Sequence, residues 1–380
     1  MKPVKYSIEI GKIVEGALKH DQVKVLNYTK QLILKLEKDG EARAAQKFSK
    51  LVENQEELTL SAMGTNKEFA VPVDTESRTS LADVIYPDEN NTAVILSKSN
   101  AEKLNTFILS YKNADKLNSL GIGVSNTLLL YGPPGCGKTK CAYLIAKELN
   151  LPLIVARLDS LISSYLGTTA KNIRTLFEFA QKTPCVLFLD EFDAIAKARD
   201  DSNELGELKR VVNSLLQNVD AMSSDSLLLA ATNHEQLLDS AVWRRFDYKL
   251  EIELPDTEAM IQMVDLFVSN SIDLSEKEKY ELAVAFQGLS GANIEEIIKK
   301  AFINAIIHEK AFNKLNIYNE LFIFKNILPQ TLDNPKESLR IKARFLRGCN
   351  SRVFSLQVIA DILESSKTTI QKLVKEADES

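Results

Sequence analysis

Residues 127–143 read T-L-L-L-Y-G-P-P-G-C-G-K-T-K-C-A-Y, and no other stretch limits the fold so tightly. Five residues suited to a buried strand run straight into the pattern G-x-x-x-x-G-K-[ST] at 132–139, and a helical pattern follows from Lys138. Strand, tight loop and helix N-terminus in that order form a cradle for phosphate. Glycines let the backbone curl until successive N–H groups point at one anion, and the helix dipole adds to their pull. The cradle consists of Gly132, Pro133, Pro134, Gly135, Cys136, Gly137, Lys138 and Thr139. Lys138 is expected to neutralise the β- and γ-phosphates of ATP, and Thr139 to ligate Mg2+. A plain Gly-Pro turn before a helix is the alternative, and the complete pattern in its strand–helix setting argues against it. Cys136 reads as a space-filler whose thiol is a point of chemical vulnerability.

Further strands are expected at 153–156, 185–189, 227–231 and 249–253, with helical patterns between them. Nearly all-apolar strands alternating with helices imply α/β architecture: a parallel sheet covered by helices on both faces. The strand C-V-L-F-L ends in D-E-F-D. An acid at the carboxyl end of such a strand can hold a Mg2+ shell, and its neighbour can polarise a water for attack on phosphorus. Asp190 is therefore read as the metal ligand and Glu191 as the general base, while Asp193 reads as a helix cap.

Composition sets outer bounds. The chain has 380 residues, 45% hydrophobic and 26% charged, enough for two or three domains without covalent staples. A net charge of -5 gives the whole chain no electrostatic claim on nucleic acid or anionic membrane. Four cysteines and three histidines show no metal-ligand spacing, so a reducing cytoplasm is the expected location. No run is long and apolar enough to span a membrane.

Taken together, G-P-P-G-C-G-K-T, F-L-D-E-F-D and A-A-T-N resemble an AAA family ATPase, over residues 92–310. That resemblance implies a P-loop NTPase sheet at 92–256 and a helical lid at 257–325. It makes Asn233 the sensor of the γ-phosphate or attacking water. It makes Arg244 and Arg245 the candidates for an arginine finger reaching the next subunit, with Arg245 preferred because it directly precedes Phe246-Asp247. In the lid, Ser290-Gly291-Ala292 starts a helix, and Gly291 and Ala292 stand where clamp-loader-like relatives carry an arginine; this is similar to AAA proper, the branch of protein unfoldases. S-Y-L-G-T places Tyr165, Leu166 and Gly167 where the family has its pore loop, so six copies would line the channel of a hexamer and grip a protein substrate. Residues 199–206 correspond to a second, polar pore loop.

The two ends carry weaker signals. Residues 1–57 read as three helices resembling a microtubule-interacting-and-trafficking hairpin, followed by an extended linker at 58–91. The tail at 326–380 is similar to a helix-turn-helix, although Glu364 stands where the turn usually has glycine. Thr368, Thr369, Gln371 and Lys372 would face a groove, and Arg340, Lys342, Arg344, Arg347 and Arg352 would supply phosphate contacts. Three functions therefore compete: a ring that threads proteins, an ATPase recruited to DNA by its tail, and an ATP-dependent regulator of a partner protease.

Overall fold

The computed structural model describes residues 5–60, 71–74, 77–87, 93–161, 166–196, 205–222, 226–238, 240–268, 271–327 and 334–375. They form two compact units. One holds the N-terminal helices and the sheet; the other runs from Ile252 onward and also takes in Ile95–Ser99 and Pro133–Gly137.

The three apolar stripes near the N-terminus become α1 (Ser7–Leu18), α2 (Gln22–Lys38) and α3 (Ala42–Leu60). Leu32, Leu36, Ala45 and Val52 supply their core. Asp21 caps α2 by accepting the Lys24 N–H at 3.1 Å. A Cβ on Gly16 would come within 2.9 Å of Val25 Cγ2, so glycine sets how closely α1 and α2 cross. The module is tied to the sheet domain: Lys182 pairs with Asp21 at 3.3 Å, and the Asn27 side-chain amide donates to the Lys182 carbonyl at 3.4 Å.

The sheet domain follows as β1 (Ala82–Ile85), α4 (Lys98–Lys112), α5 (Ala114–Ser119), β2 (Thr127–Tyr131), α6 (Lys138–Leu149), β3 (Leu153–Ala156), α7 (Leu158–Leu161) and α8 (Leu166–Lys182). Then come β4 (Val186–Leu189), α9 (Asp193–Ala196), α10 (Leu205–Asp220), β5 (Leu227–Thr232), α11 (Ser240–Trp243) and β6 (Tyr248–Glu251). The strand order is β1-β3-β4-β5-β2-β6. Strands β2 to β6 pair in parallel. Leu128, Leu129 and Leu130 of β2 are fully buried, each worth about 2 kcal/mol relative to exposure. Leu129 joins one face with Ile173 and Phe177 of α8 and Leu215 of α10. Helix α6 buries Cys141, Ala142 and Ile145 and packs on β3 and β5.

Strand β1 departs from the expected linker and from an all-parallel sheet: it pairs antiparallel with β3 at the edge. Four residues, A-D-V-I, flanked by polar sequence and Pro87, are too short to show a period of two. Their state is decided by the open edge of β3.

The second unit is helical: α12 (Thr257–Val268), α13 (Glu276–Ala285), α14 (Gly291–Ile307), α15 (Lys314–Phe324), α16 (Pro335–Cys349), α17 (Leu356–Ile362) and α18 (Lys367–Lys375). Residues on both sides of position 326, among them Val264, Leu282, Ile297, Leu321, Phe354 and Ile370, share one apolar core. Glu364 adopts φ +50°, the left-handed turn conformation that glycine would otherwise supply. Ala360 is buried, and its carbonyl accepts the Ser365 N–H at 2.9 Å.

The basic run is largely committed to packing. Arg347 donates to the Ser351 and Phe354 carbonyls at 2.6 and 2.9 Å. Lys342 lies over the Phe322 ring at 5.2 Å, and burial lowers its pKa. Arg340 pairs with Glu337.

Glu278 offers a test of this unit. Lys314 at 2.6 Å and the Ser275 N–H and hydroxyl at 3.0 and 2.8 Å hold its carboxyl at about 2, against an ordinary 4.5. A depressed folded-state pKa contributes stability above the unfolded value and loses it as pH falls through the folded one. Glu278→Gln should cost about 1 kcal/mol at pH 7 in thermal unfolding. The gap from the parent should close as pH drops from 4.5 toward about 2. A gap that persists unchanged at the acid end would contradict the pairing.

Candidate functional site

The register of the parallel strands assembles the site. Tyr131 of β2 stands opposite Thr232 of β5, so Gly132 and Asn233 are the next residues out of the sheet on adjacent strands. Strand β4 lies on the other side of β5, with Leu189 opposite Ala230, and delivers Asp190 and Glu191 to the same edge. Carboxyl ends of parallel strands where the order changes direction form the crevice in which α/β folds bind ligands.

On the sheet side, Lys138 is buried and its ammonium donates to the Gly132 carbonyl at 2.7 Å. Thr139 Oγ1 donates to Asp190 Oδ2 at 2.8 Å. Hydroxyl and carboxylate thus already share one spot, the donor pair that a hard divalent cation with phosphate ligands needs. Asp190 Oδ1 accepts the Glu191 N–H at 2.9 Å. Glu191 takes φ +49°, a left-handed conformation unusual for a non-glycine residue, and its side chain is exposed. The chain then turns back: Phe192 N–H bonds the Ala231 carbonyl at 2.8 Å.

A link that sequence reasoning missed joins the acid turn to the end of β5. Buried Thr232 donates its hydroxyl to Asp193 Oδ1 at 2.8 Å and accepts the His234 N–H at 3.0 Å. Asp193 begins α9, where the cap was expected, but its carboxylate serves the strand before Asn233. The motif A-A-T-N contains the signal, a threonine next to Asn233.

In the helical unit, Pro133–Gly137 meets the start of α14. Ser290 caps that helix in a reciprocal box with Asn293. The Ala292 N–H donates to the Gly135 carbonyl at 3.0 Å. Gly135 has φ +74°, and a Cβ there would lie 2.6 Å from Ser290 Oγ and 2.9 Å from Ala292 Cβ. Only glycine fits, so the loop's curl and the lid residues Gly291 and Ala292 are built together. Cys136 is buried beside the Pro134 carbonyl.

The two arginines differ. Arg245 makes a forked pair with Asp220, Nε to Oδ1 at 2.9 Å and Nη2 to Oδ2 at 3.0 Å, which raises its pKa further. Arg244 is exposed and makes no ion pair among the described residues. The sequence alone favours Arg245 as the finger; the partner that occupies it lies 25 residues upstream, beyond the reach of local pattern. Tyr165 and residues 199–204 lie outside the described residues, while Leu166 and Gly167 open α8 and Leu205 opens α10.

Residues 128–254 match the family described as "ATPase family associated with various cellular activities (AAA)". An uncharacterized AAA family ATPase of Sinorhizobium fredii is 43% identical, over 62% of this chain and 70% of that protein. A proteasome-activating nucleotidase of Methanococcus maripaludis is 33% identical, over 53% of this chain but only 51% of its own length. The crystal structure of the FIGL-1 AAA domain in complex with ADP superposes with a TM-score of 0.53 and 24% identity, covering 66% of this chain and 88% of that one. Among the described residues, no helix is long and apolar enough to cross a membrane.

Gly135→Ala should lose nucleotide binding by at least about tenfold, since the backbone conformation and the lid contact both forbid the methyl. Titration with a fluorescent ADP analogue, beside unchanged far-ultraviolet circular dichroism, checks this. Parent-like affinity would show that the loop does not have to keep this curl.

Proposed function

The chain belongs to the AAA family of ATPases, and on that premise we propose a ring-forming, Mg-ATP-driven protein remodeller or unfoldase of the cytoplasm. The observation that carries the reading is the Thr139–Asp190 hydrogen bond at 2.8 Å, with Glu191 beside it and Lys138 in the preceding loop. The backbone of 132–137 and Lys138 hold the β- and γ-phosphates. Thr139 and Asp190 would hold Mg2+, which when bound would neutralise phosphate charge. Glu191 polarises the attacking water, and Asn233 orients it. Gly291 and Ala292 adjoin the phosphate loop at Gly135.

An arginine from the neighbouring subunit completes the charge balance, which makes hydrolysis depend on assembly. We give that role to Arg244, because Arg245 is anchored on Asp220. Assembly is also supported by Ile303, Ile306 and Ile307, which recur along α14 and are exposed. In a hexamer, Tyr165, Leu166 and Gly167 line the channel, where a ring face grips an extended chain without reading its sequence. Similarity to a proteasome-activating nucleotidase supports proteins as substrates and a protease as a class of partner. The second reading, recruitment to DNA through the tail, loses support because Arg340, Lys342 and Arg347 are engaged in packing and pairing. Exposed Arg352, Thr368, Gln371 and Lys372 are what it retains.

Glu191→Gln should bind ATP and hydrolyse it at least about a hundredfold more slowly. Single-turnover hydrolysis beside nucleotide binding checks this, and a parent rate would remove Glu191 from the mechanism.

Arg244→Ala should bind ATP yet lose up to about a thousandfold in turnover. Mixing it with Lys138→Ala protein should restore activity, because one mixed interface pairs an intact loop with an intact finger. No recovery despite demonstrated subunit exchange would argue against action in trans.

Tyr165→Ala should keep basal ATPase and lose stimulation by an unfolded protein. If it keeps that stimulation, and replacing exposed Arg352 and Lys372 with alanine abolishes a salt-sensitive stimulation by duplex DNA, the DNA-directed reading replaces the threading one.

A further inference from the structure

Strand β2 does more than deliver the phosphate loop, because both of its ends hold the turn that carries the two arginines. At its start, buried Thr127 donates its hydroxyl to the Arg245 carbonyl at 3.2 Å and accepts the Asp247 N–H at 2.9 Å. At its end, Tyr131 meets Trp243 edge to face, with ring centroids 5.2 Å apart and planes at 67°. Tyr131 immediately precedes Gly132, and Trp243 immediately precedes Arg244. Lys249 of β6 lies over the Trp243 ring at 5.7 Å and donates to the Phe246 carbonyl. The indole is thus held between the last ring before the phosphate loop and a cation on the neighbouring strand. Aromatic and cation–π contacts of this kind contribute about 0.5–1.5 kcal/mol each and fix orientation.

We propose that Trp243 is a positioning residue that couples the two catalytic faces of one subunit: a shift of the phosphate loop on nucleotide binding moves Tyr131, and Trp243 passes that shift to the arginine presented to the neighbour. Thr127 is the fixed end of the same lever. The inference rests on the reading of Arg244 as a finger acting in trans. The device needs no new ligand. It uses one strand braced at two points, so that a displacement at the loop end turns the α11 corner about the Thr127 pin instead of translating it.

Trp243 is the one tryptophan in the chain, so tryptophan emission, excited beyond the tyrosine band, reports this site alone. Adding Mg-ATP to the Glu191→Gln protein should change tryptophan emission, and Tyr131→Leu should remove the change while the protein still binds nucleotide. Constant emission at saturating nucleotide would overturn the coupling. In kinetics, Trp243→Leu should lower kcat by about ten- to hundredfold, as misplacement of a catalytic group does, with KM within about twofold of the parent. Trp243→Phe should retain most of the rate. Mixing Trp243→Leu with Lys138→Ala subunits should restore turnover, because the lost function lies on the finger side; absence of rescue overturns the proposal. Thr127→Val keeps the shape and unpins the other end, so the same kinetic result is expected if Trp243→Leu fails to fold. Parent-like turnover in both Arg244→Ala and Arg245→Ala would overturn the trans reading itself, and this inference with it. Loss of turnover in those variants beside parent-like rates in Trp243→Leu and Thr127→Val would overturn the inference alone.

Discussion

The parallel pairing of β2 with β5 is the constraint from which the catalytic geometry follows. Its register sets Tyr131 against Thr232, so the phosphate loop and Asn233 leave the sheet side by side. A slip of one residue would turn Leu129 and its neighbours to the opposite face and separate Gly132 from Asn233. The slip is blocked because both faces of β2 are buried and both of its edges are paired, to β5 and β6. Ala230 and Ala231 keep β5 slim at this point, which leaves room for the Phe192 backbone to fold back onto the Ala231 carbonyl. That return bends the chain at Glu191 and presents its carboxylate outward. The strained φ of Glu191 is therefore a product of the core: the backbone bond at Phe192 and the Asp190 bond to the Glu191 N–H hold it in place.

Much of this was legible because it is local. An apolar strand followed by G-P-P-G-C-G-K-T leaves little choice of backbone. Likewise C-V-L-F-L before D-E puts two acids at a strand end. The helices of the second unit announce themselves through Ser275, Ser290, Asn313 and Ser355, each a side chain that accepts an N–H of its own first turn. What escaped depends on distant partners. Strand β1 exists because β3 offers an edge. Arg340, Lys342 and Arg347 read as part of a phosphate-binding row, but their aliphatic stems and fixed donors are consumed by Phe322, Glu337 and the turn at 351–354. Composition identifies charge; it does not say which way a helix turns it.

The helical unit shows how a local rule can be broken at no cost to the turn. Glu364 occupies a left-handed position without a glycine, and the Ser365 N–H still finds the Ala360 carbonyl. Burial of Ile359, Ala360, Ile362, Ile370 and Leu373 brings α17 and α18 together around it. The turn is held by packing, so its identity as a fold element says nothing about a ligand; that question belongs to the exposed residues of α18.

The adjacent arginines present the same logic in the sheet domain. Successive residues in a helical turn project about 100° apart, so the side chains of Arg244 and Arg245 leave the corner in different directions. The corner after α11 closes with the Arg245 N–H on the Val242 carbonyl at 3.0 Å, which turns the second guanidinium back toward α10 and Asp220. Its Nη1 also donates to the Ala241 carbonyl at 3.3 Å. Arg245 is thereby a brace on the same corner that Thr127 pins through the backbone. Two anchors on one short corner make a rigid mount, and a rigid mount is what a single exposed guanidinium needs if it is to meet a charge at a fixed place. The pair divides the work: one arginine holds the corner, and the other is presented by it.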